Sequence, residues 1–158
     1  MALSLRLALI SALVPHGARV CDIGTDHGYL PIELIKRGDI KSVIATDIRE
    51  KPLASAEKNI KAAGVGGITL RLCDGLEGIA QNEVDTVITA GMGGEVIASI
   101  LARSPLPTAA PAPLLIMQPT TSPEFLRRFL CENGFEIISD TALCENAKLY
   151  SVITARYT

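Results

Sequence analysis

The sequence predicts an α/β fold, a doubly wound, seven-stranded and mostly parallel sheet with helices on both faces. The main observation is that short apolar runs alternate with segments of helical periodicity along most of the 158 residues. Such alternation is typical of parallel sheets covered by helices. A chain of this length suits one domain, over residues 1–158. Because hydrophobic residues make up 48% of the chain and aromatic residues only 4%, the core is expected to be aliphatic.

The first half of the chain predicts three strands and three helices. Apolar residues recur at helical spacing from Leu3 to Val14, which predicts an N-terminal helix over about residues 2–14. The second helix is expected to stop at Gly38, and Pro52 suits the first turn of the third. The strands are predicted at Arg19–Ile23, 42–46 and Ile68–Leu72, and the two later helices at 29–37 and 52–63.

The second half continues the alternation until its last two strands. The Pro/Ala-rich stretch 104–113 is expected to be a surface loop. The last two strands follow each other without a helix, so we expect a hairpin-like pair in which the last strand is antiparallel. The strands are predicted at 84–89, 114–117, 135–138 and 148–155, and the helices at 95–102 and Pro123–Glu132.

Composition argues against several classes of function. The formal net charge is −2 and Lys and Arg form no block, so the totals indicate no basic face for nucleic acid. The four cysteines form no Cys-x-x-Cys pair, and we expect reduced thiols in a cytoplasmic protein, with no metal site. The apolar start has one early charge, Arg6, and no convincing signal-peptide cleavage site. No run reaches the roughly 18 apolar residues of a membrane span, so no membrane association is expected.

Small or acidic residues follow four consecutive predicted strands. The carboxyl ends of parallel strands meet at one edge of a sheet, where doubly wound proteins bind their ligands. Unrelated loops would not all carry such residues, so together they indicate a binding site. The four signatures are Asp22-x-Gly24, Asp47, Asp74-Gly75 and Gly91-Met92-Gly93-Gly94.

Each of the later signatures also has a structural interpretation. Asp47 could accept hydrogen bonds from two ribose hydroxyls, or it could cap a helix. Asp74 could accept a hydrogen bond from an exocyclic amine such as adenine N6, or it could belong to a simple turn. The glycines after the fourth strand suit close approach of a ligand, but they would also suit a flexible loop.

The turn after the first strand favours a cationic ligand. Gly24 removes a side chain where a ligand can approach the backbone, and Gly28 is expected to keep the next helix close to the sheet. A dinucleotide fingerprint would direct glycine amides at a pyrophosphate, but Asp26 stands where that anion would lie. A carboxylate is unfavourable beside a pyrophosphate and favourable beside the sulfonium and ammonium groups of S-adenosylmethionine. The charge therefore favours S-adenosylmethionine as the cofactor.

Several motifs together carry a family resemblance. They are Leu3-Ser4-Leu5-Arg6-Leu7, the run from Asp22 to Pro31, Asp74-Gly75-Leu76, Ala90-Gly91-Met92-Gly93-Gly94, Gln118-Pro119 and the run from Glu132 to Ile138. On these motifs the chain resembles the class I methyltransferases and, more narrowly, the bacterial tRNA (adenine(22)-N1)-methyltransferases. The resemblance implies a Rossmann-like catalytic domain that methylates N1 of adenine 22, with tRNA as its partner. Relatives usually continue into a C-terminal helical domain, which we expect to be absent from a sequence that stops at Thr158.

The motifs and the resemblance together give an expected site. Asp26, His27 and Tyr29 are the candidate catalytic residues, and Asp26 would stabilise the charge that develops on the methylated adenine. The structural alternatives are a helix cap for His27, packing against the sheet for Tyr29 and a solvated helix charge for Arg6. The expected cofactor-binding residues are Arg6, Asp22, Gly24, Asp26, His27, Asp47, Ile48, Asp74, Gly75, Gly91, Met92 and Gly93, and the expected substrate-binding residues are Gln118 and Pro119.

Two other functions remain open at the level of the sequence. One is a non-catalytic protein that binds S-adenosylmethionine and acts as a regulator. The other is a methyltransferase that acts on a small molecule. Binding without transfer would indicate the first, and transfer to a metabolite but not to tRNA would indicate the second.

Overall fold

The computed structural model describes residues 3–158, and within them seven strands form one sheet flanked by five α-helices. The strands are β1 (Arg19–Ile23), β2 (Ser42–Asp47), β3 (Ile68–Leu72), β4 (Thr86–Met92), β5 (Leu114–Pro119), β6 (Phe135–Glu145) and β7 (Lys148–Tyr157). The helices are α1 (Leu5–Leu13), α2 (Tyr29–Lys36), α3 (Glu50–Ala63), α4 (Gly94–Ala102) and α5 (Pro123–Glu132). The strand order is β3-β2-β1-β4-β5-β7-β6, and only β7 runs antiparallel to its neighbours. The predicted fold class is confirmed.

Neighbouring residues of the central strands face opposite sides of the sheet and enter different cores. In β4, Val87 packs with the residues under α4 and α5, whereas Ile88 packs with those under α1 and α2. β5 alternates in the same way, with Leu115 in the first core and Ile116 in the second. Because strand side chains have a period of two, a sheet with helices on both faces needs this nearly continuous apolar sequence.

Five of the seven strands end later than the sequence predicts, and β4 and β6 do so by at least three residues. β4 was expected over 84–89, but it begins at Thr86 and continues through Gly91 to Met92 across an irregularity in its pairing with β5. β6 was expected over 135–138 but reaches Glu145, because β7 pairs with it along almost its whole length. Within this extension Asp140 and Thr141 are exposed and polar, so apolar periodicity gave no signal for it.

Two other expectations need correction or limitation. The stretch 104–113 was expected to be a surface loop, but a short 3-10 helix, Leu106–Thr108, buries Leu106 and Pro107 against the core. The N-terminal helix begins at Leu5 instead of about residue 2, and Ala2 lies outside the described residues. In residues 3–158 the helices are too short or too polar for any of them to cross a bilayer.

The β6–β7 hairpin reaches back to the first helix. Its turn consists of Asn146 and Ala147, which both have positive φ angles (51° and 60°), as the two-residue turns favoured by twisted hairpins require. Beside the turn, a carboxylate oxygen of Glu145 accepts a hydrogen bond from the free backbone N–H of Leu5 at 2.5 Å. The same carboxylate lies 3.5 Å from Nε of Arg6. A negative group at a helix N-terminus is favourable, so the hairpin fixes the start of α1.

Candidate functional site

A cavity of about 630 Å³ opens at the carboxyl ends of the five parallel strands β1 to β5. This volume lies in the range of small-molecule sites, and the position is the ligand edge of a doubly wound sheet. All of the sequence-predicted site residues except Gly93 and Pro119 line it. The residues that line it are thus contributed by segments far apart in the chain, as the strand-end signatures predicted.

The turn after β1 forms the floor of the cavity. Gly24 has φ of +70°, and a Cβ atom at this position would lie 2.7 Å from Cε of Met92. The backbone N–H groups of Gly24 and Thr25 both donate to the carbonyl oxygen of Thr46, at 2.9 Å, which fastens the turn to the end of β2. Asp26 also has a positive φ, 56°, a conformation that Asp tolerates better than most residues. Asp26 therefore has a left-handed backbone conformation and lies in the turn that precedes α2, which begins at Tyr29.

Gly28 has a different packing role from the one expected. A Cβ atom at Gly28 would lie 3.1 Å from the Cβ of Ala56 in α3. Gly28 thus allows the start of α2 to lie close to α3. It was expected to bring α2 close to the sheet instead.

Two buried carboxylates lie at the ends of β1 and β2. Asp22 is 4% exposed and Asp47 is 6% exposed, and both line the cavity. Burial raises the pKa of Asp22 to about 7, the Thr25 hydroxyl that donates to its Oδ2 at 3.0 Å opposes the rise, and the charge of Asp47 adds to it. Asp47 accepts a hydrogen bond from the backbone N–H of Arg49 at 3.1 Å. Such a pair of carboxylates suits a ligand that brings positive charge or hydroxyl donors.

The three candidate catalytic side chains lie together at the cavity mouth. Nε2 of His27 is 3.8 Å from Oδ2 of Asp26, and the rings of His27 and Tyr29 stack with their centroids 5.4 Å apart. Nδ1 of His27 is 2.9 Å from Oγ of Ser55 in α3. The backbone carbonyl of His27 accepts a hydrogen bond from the side chain of Asn59. These contacts hold the imidazole between the carboxylate and the phenol ring.

Asp74 is already engaged by a cation that sequence reasoning missed. Nη1 and Nη2 of Arg103, at the C-terminal end of α4, donate to the two carboxylate oxygens of Asp74 at 3.1 and 3.2 Å. Arg103 lines the cavity with Asp74. No local pattern identifies this arginine, because its partner lies 29 residues earlier in the sequence.

The glycine run after Ala90 divides into two parts. Gly91 lines the cavity, and a Cβ atom built on it meets no atom of the described chain within 4 Å. Gly93 and Gly94 instead pack against the loop after β5. A Cβ atom on Gly93 would lie 2.8 Å from Oγ1 of Thr121, and one on Gly94 would clash with the carbonyl oxygen of Ser122. Only the first part of the run therefore offers backbone to a ligand in this geometry.

Gln118 connects the glycine run to the first helix. Its side chain is buried, and its Oε1 accepts hydrogen bonds from the backbone N–H of Gly91 at 3.1 Å and from Nη1 of Arg6 at 3.4 Å. The guanidinium of Arg6 also lies 5.1 Å from the ring centroid of Tyr150. Pro119 is buried in β5 and does not line the cavity, whereas Thr120 does. Arg6 is thus a part of the cavity wall and not a solvated helix charge.

Thr46 was also missed by sequence reasoning. Its hydroxyl is buried and has no hydrogen-bond partner among residues 3–158, and the residue lines the cavity. Its place at the end of β2, directly before Asp47, was the available signal. In the described part of the chain, no three His, Cys, Asp or Glu side chains are grouped as metal ligands would be, and all four cysteines are free thiols.

Comparison with known proteins places these features in context. A protein-family model described as a methyltransferase domain matches residues 3–153. The tRNA (adenine(22)-N(1))-methyltransferase of Bacillus subtilis is 34% identical over 97% of this chain and 64% of its own length. The crystal structure of a B. subtilis M1A22 tRNA methyltransferase superposes with a TM-score of 0.92 at 34% identity, covering 99% of this chain and 67% of that one.

Two further structures are similar and contain ligands. A Streptococcus pneumoniae protein in complex with S-adenosyl-L-methionine has 40% identity and a TM-score of 0.92, covering 99% of this chain and 73% of that one. A Mycoplasma capricolum protein in complex with S-adenosyl-homocysteine has 31% identity and a TM-score of 0.89, covering 100% of this chain and 70% of that one. The chain spans less than two thirds of the length of the curated B. subtilis relative.

Proposed function

We propose that this chain, which belongs to the family of the tRNA (adenine(22)-N1)-methyltransferases, transfers a methyl group from S-adenosylmethionine to N1 of adenine 22 in tRNA. It carries the methyltransferase domain of that family. The observation that carries this proposal is the cavity at the strand ends, where two buried carboxylates lie beside the glycine turn. We further propose that residues 1–158 act as the catalytic domain, with tRNA as partner and the cytoplasm as location.

The cavity fits the cofactor on three observations. The buried carboxylates of Asp22 and Asp47 can accept from an ammonium group and from hydroxyls. The unpartnered hydroxyl of Thr46 leaves hydrogen-bonding capacity at the same wall. The open space at Gly91 allows a ligand to contact the backbone. Asp22, Gly24 and Gly91 would hold the methionine part, and Asp47 with Ile48 would hold the ribose.

The remaining expected contacts have unequal support from the geometry. Arg6, Asp26, His27, Asp74, Gly75 and Met92 line the cavity and are proposed to contact the cofactor. Gly93 and Pro119 do not line the cavity, so we propose only that they shape the backbone beside it. Gln118 is proposed to face the substrate base and to be oriented for this by Gly91 and Arg6.

The chemistry requires positioning more than activation of a nucleophile. S-adenosylmethionine supplies a methyl group on a positively charged sulfur, and adenine N1 has a free lone pair. The protein must expose the base and align it with the methyl group, which can contribute up to about 7–11 kcal/mol in favourable cases. Tyr29 and His27, stacked at the cavity mouth, offer aromatic faces to an unstacked base. The Asp26 carboxylate can then stabilise the positive charge on the methylated adenine.

The proposed activity is tested by mapping methylated adenosine in tRNA. The chain is incubated with tRNA transcripts and with a cofactor labelled at its methyl carbon, and the modified position is read by primer extension and mass spectrometry. The expected result is 1-methyladenosine at position 22. Cofactor binding without any transfer, while a longer relative is active in parallel, would instead indicate a regulator. Transfer to a metabolite alone would indicate a small-molecule methyltransferase.

Asp26→Asn tests the proposed catalytic carboxylate. Asn tolerates the positive φ of this position and has nearly the same shape, so the substitution mainly removes charge. Because Asp26 is largely exposed, we expect turnover at saturating cofactor to fall by about tenfold, less than for an enclosed catalytic group. Asp140→Asn, in β6 and outside the cavity lining, is the matched control and should leave turnover unchanged. Near-normal turnover of Asp26→Asn would remove Asp26 from the mechanism.

A further inference from the structure

The ion pair between Arg103 and Asp74 has a well-defined geometry at a partly exposed position. Both terminal guanidinium nitrogens donate to Asp74, one to each carboxylate oxygen. Nε of Arg103 donates to Oγ of Ser99, one helical turn earlier, at 3.2 Å. Nη1 also contacts Oε1 of Glu77 at 3.2 Å. All three nitrogens of the guanidinium are therefore engaged, which fixes its plane and, through it, the plane of the Asp74 carboxylate.

Stability does not account for this arrangement. The side chain of Arg103 is 39% exposed and that of Asp74 is 44% exposed, and pairs so open to solvent contribute little to folding. Both residues line the cavity. Its position at the cavity wall distinguishes this pair from other two-point ion pairs of the protein, because there it can orient an acceptor toward a ligand.

The sheet order indicates which part of a ligand meets Asp74. β1, β2 and β3 are neighbours, and adjacent strands lie about 5 Å apart. The buried carboxylates of Asp22 and Asp47 lie at the ends of β1 and β2, and Asp74 follows the end of β3. A ligand whose charged end lies at β1 and whose ribose lies at β2 would thus extend its base toward Asp74. This step rests on the proposed function.

A carboxylate with this orientation distinguishes two kinds of purine. Each carboxylate oxygen has two lone pairs, and Arg103 uses one on each oxygen, so acceptor capacity remains. An ionised carboxylate accepts hydrogen bonds and donates none. It can therefore bind the 6-amino group of adenine, whereas it opposes the 6-keto oxygen of hypoxanthine. We propose that Arg103 is a positioning residue that holds Asp74 so that the cavity selects a 6-aminopurine cofactor over its 6-keto counterpart.

The test compares two ligands that differ in the 6-substituent of the purine and in the proton that the keto form carries on the adjacent N1. Binding of S-adenosylhomocysteine and of S-inosylhomocysteine is measured by calorimetry for the unaltered chain, Arg103→Met and Arg103→Lys. We expect the unaltered chain to prefer the adenine ligand, and Arg103→Met to lower this preference by about tenfold, mainly through weaker binding of S-adenosylhomocysteine. Arg103→Lys should behave similarly, because an ammonium group keeps the charge but cannot hold both oxygens. Asp74→Asn, whose amide can donate to a keto oxygen, should shift the preference toward S-inosylhomocysteine.

Arg127→Met is the matched control. Arg127 makes an equivalent two-point ion pair with Asp140, with distances of 2.6 and 3.3 Å and similar exposure, outside the cavity lining. It should leave both affinities unchanged. Equal weakening of both ligands by Arg103→Met would overturn the proposal, because it would indicate only loss of local structure. Tighter binding of both would also overturn it, because Arg103 would then be an obstruction. If the unaltered chain binds neither ligand, the proposed function fails first, and the role of Arg103 fails with it.

Discussion

The buried carboxylate of Asp22 should make the stability of this protein depend on pH in an unusual direction. Asp22 is 4% exposed, and the hydrogen bond that its side chain accepts from the Thr25 hydroxyl compensates only part of the cost of burying its charge. Its pKa is raised from 3.8 to about 7, chiefly by burial, with a further contribution from the charge of Asp47. The substitution Asp22→Asn removes the titration and keeps the shape of the side chain.

The size and sign of the effect follow from these two values. Between about pH 4 and pH 7 the folded chain retains the Asp22 proton and the unfolded chain has released it. The folded state then binds more protons, so its stability falls as the pH rises. Ionisation of the buried Asp22 therefore lowers the free energy of unfolding by about 4 kcal/mol in total. This loss is absent below about pH 4 and complete above about pH 7. We therefore expect the free energy of unfolding of Asp22→Asn, relative to that of the unaltered chain, to be about 3 kcal/mol higher at pH 8 than at pH 5.

The assay is urea unfolding followed by circular dichroism at several pH values between 5 and 8. Asp39→Asn is the control, because hydrogen bonds from Arg37 lower the pKa of Asp39. That carboxylate stabilises the fold above its ordinary pKa and loses the effect only as the pH falls below it, so the control should run parallel to the unaltered chain over this range. A curve for Asp22→Asn that also runs parallel would refute the reasoning, since it would mean that Asp22 has the same pKa in both states.

Two other substitutions have defined outcomes. Gly24→Ala places a Cβ atom 2.7 Å from Cε of Met92 at a φ of +70°, and Gly38→Ala has a similar φ, +82°, with no described atom within 4 Å. We expect both to destabilise the fold by about 1 kcal/mol through backbone strain, and only Gly24→Ala to weaken binding of S-adenosylmethionine in calorimetry; equal affinities would contradict the steric role. Hydrogen bonds from Arg71 are the largest cause of lowering the pKa of Glu83 to about 2. Glu83→Gln should therefore melt at a lower temperature than the unaltered chain at pH 7, with the gap closing as the pH falls from about 4.5 toward 2; a gap independent of pH would show that the ion pair is not its cause.

Features encoded locally were predicted well from the sequence. β1 and β3 begin and end where expected, because each apolar run is bounded by turn residues or by Asp and Gly. The cavity was also predictable in outline, since parallel strands bring their carboxyl ends to one edge whatever the loops do. Asp22, Asp47 and Asp74 needed only that rule to be placed together.

Features that depend on distant partners were not predicted. The extension of β6 to Glu145 exists because β7 pairs with it, and its exposed polar residues carry no periodic signal of their own. Gly93 and Gly94 resembled ligand-binding glycines, but their small size serves the loop after β5. Nothing in the sequence around Arg103 distinguishes it from other arginines, because its partner Asp74 lies 29 residues earlier. In each case the decisive contact joins residues that no local window contains together.

The contact between Glu145 and Leu5 has a consequence for the order of events during protein synthesis. The two residues are 140 positions apart, and at a typical 5–20 residues per second the ribosome adds the second on the order of ten seconds after the first. Until then the amide of Leu5 lacks its acceptor, and Arg6 lacks both Glu145 and the ring of Tyr150. The turn after β1, which forms the floor of the cavity, is synthesised early. The contacts that hold Arg6 in the cavity wall form only after Glu145 and Tyr150 have been added. A nascent chain should therefore acquire its full affinity for ligand only when the β6–β7 hairpin has left the ribosome.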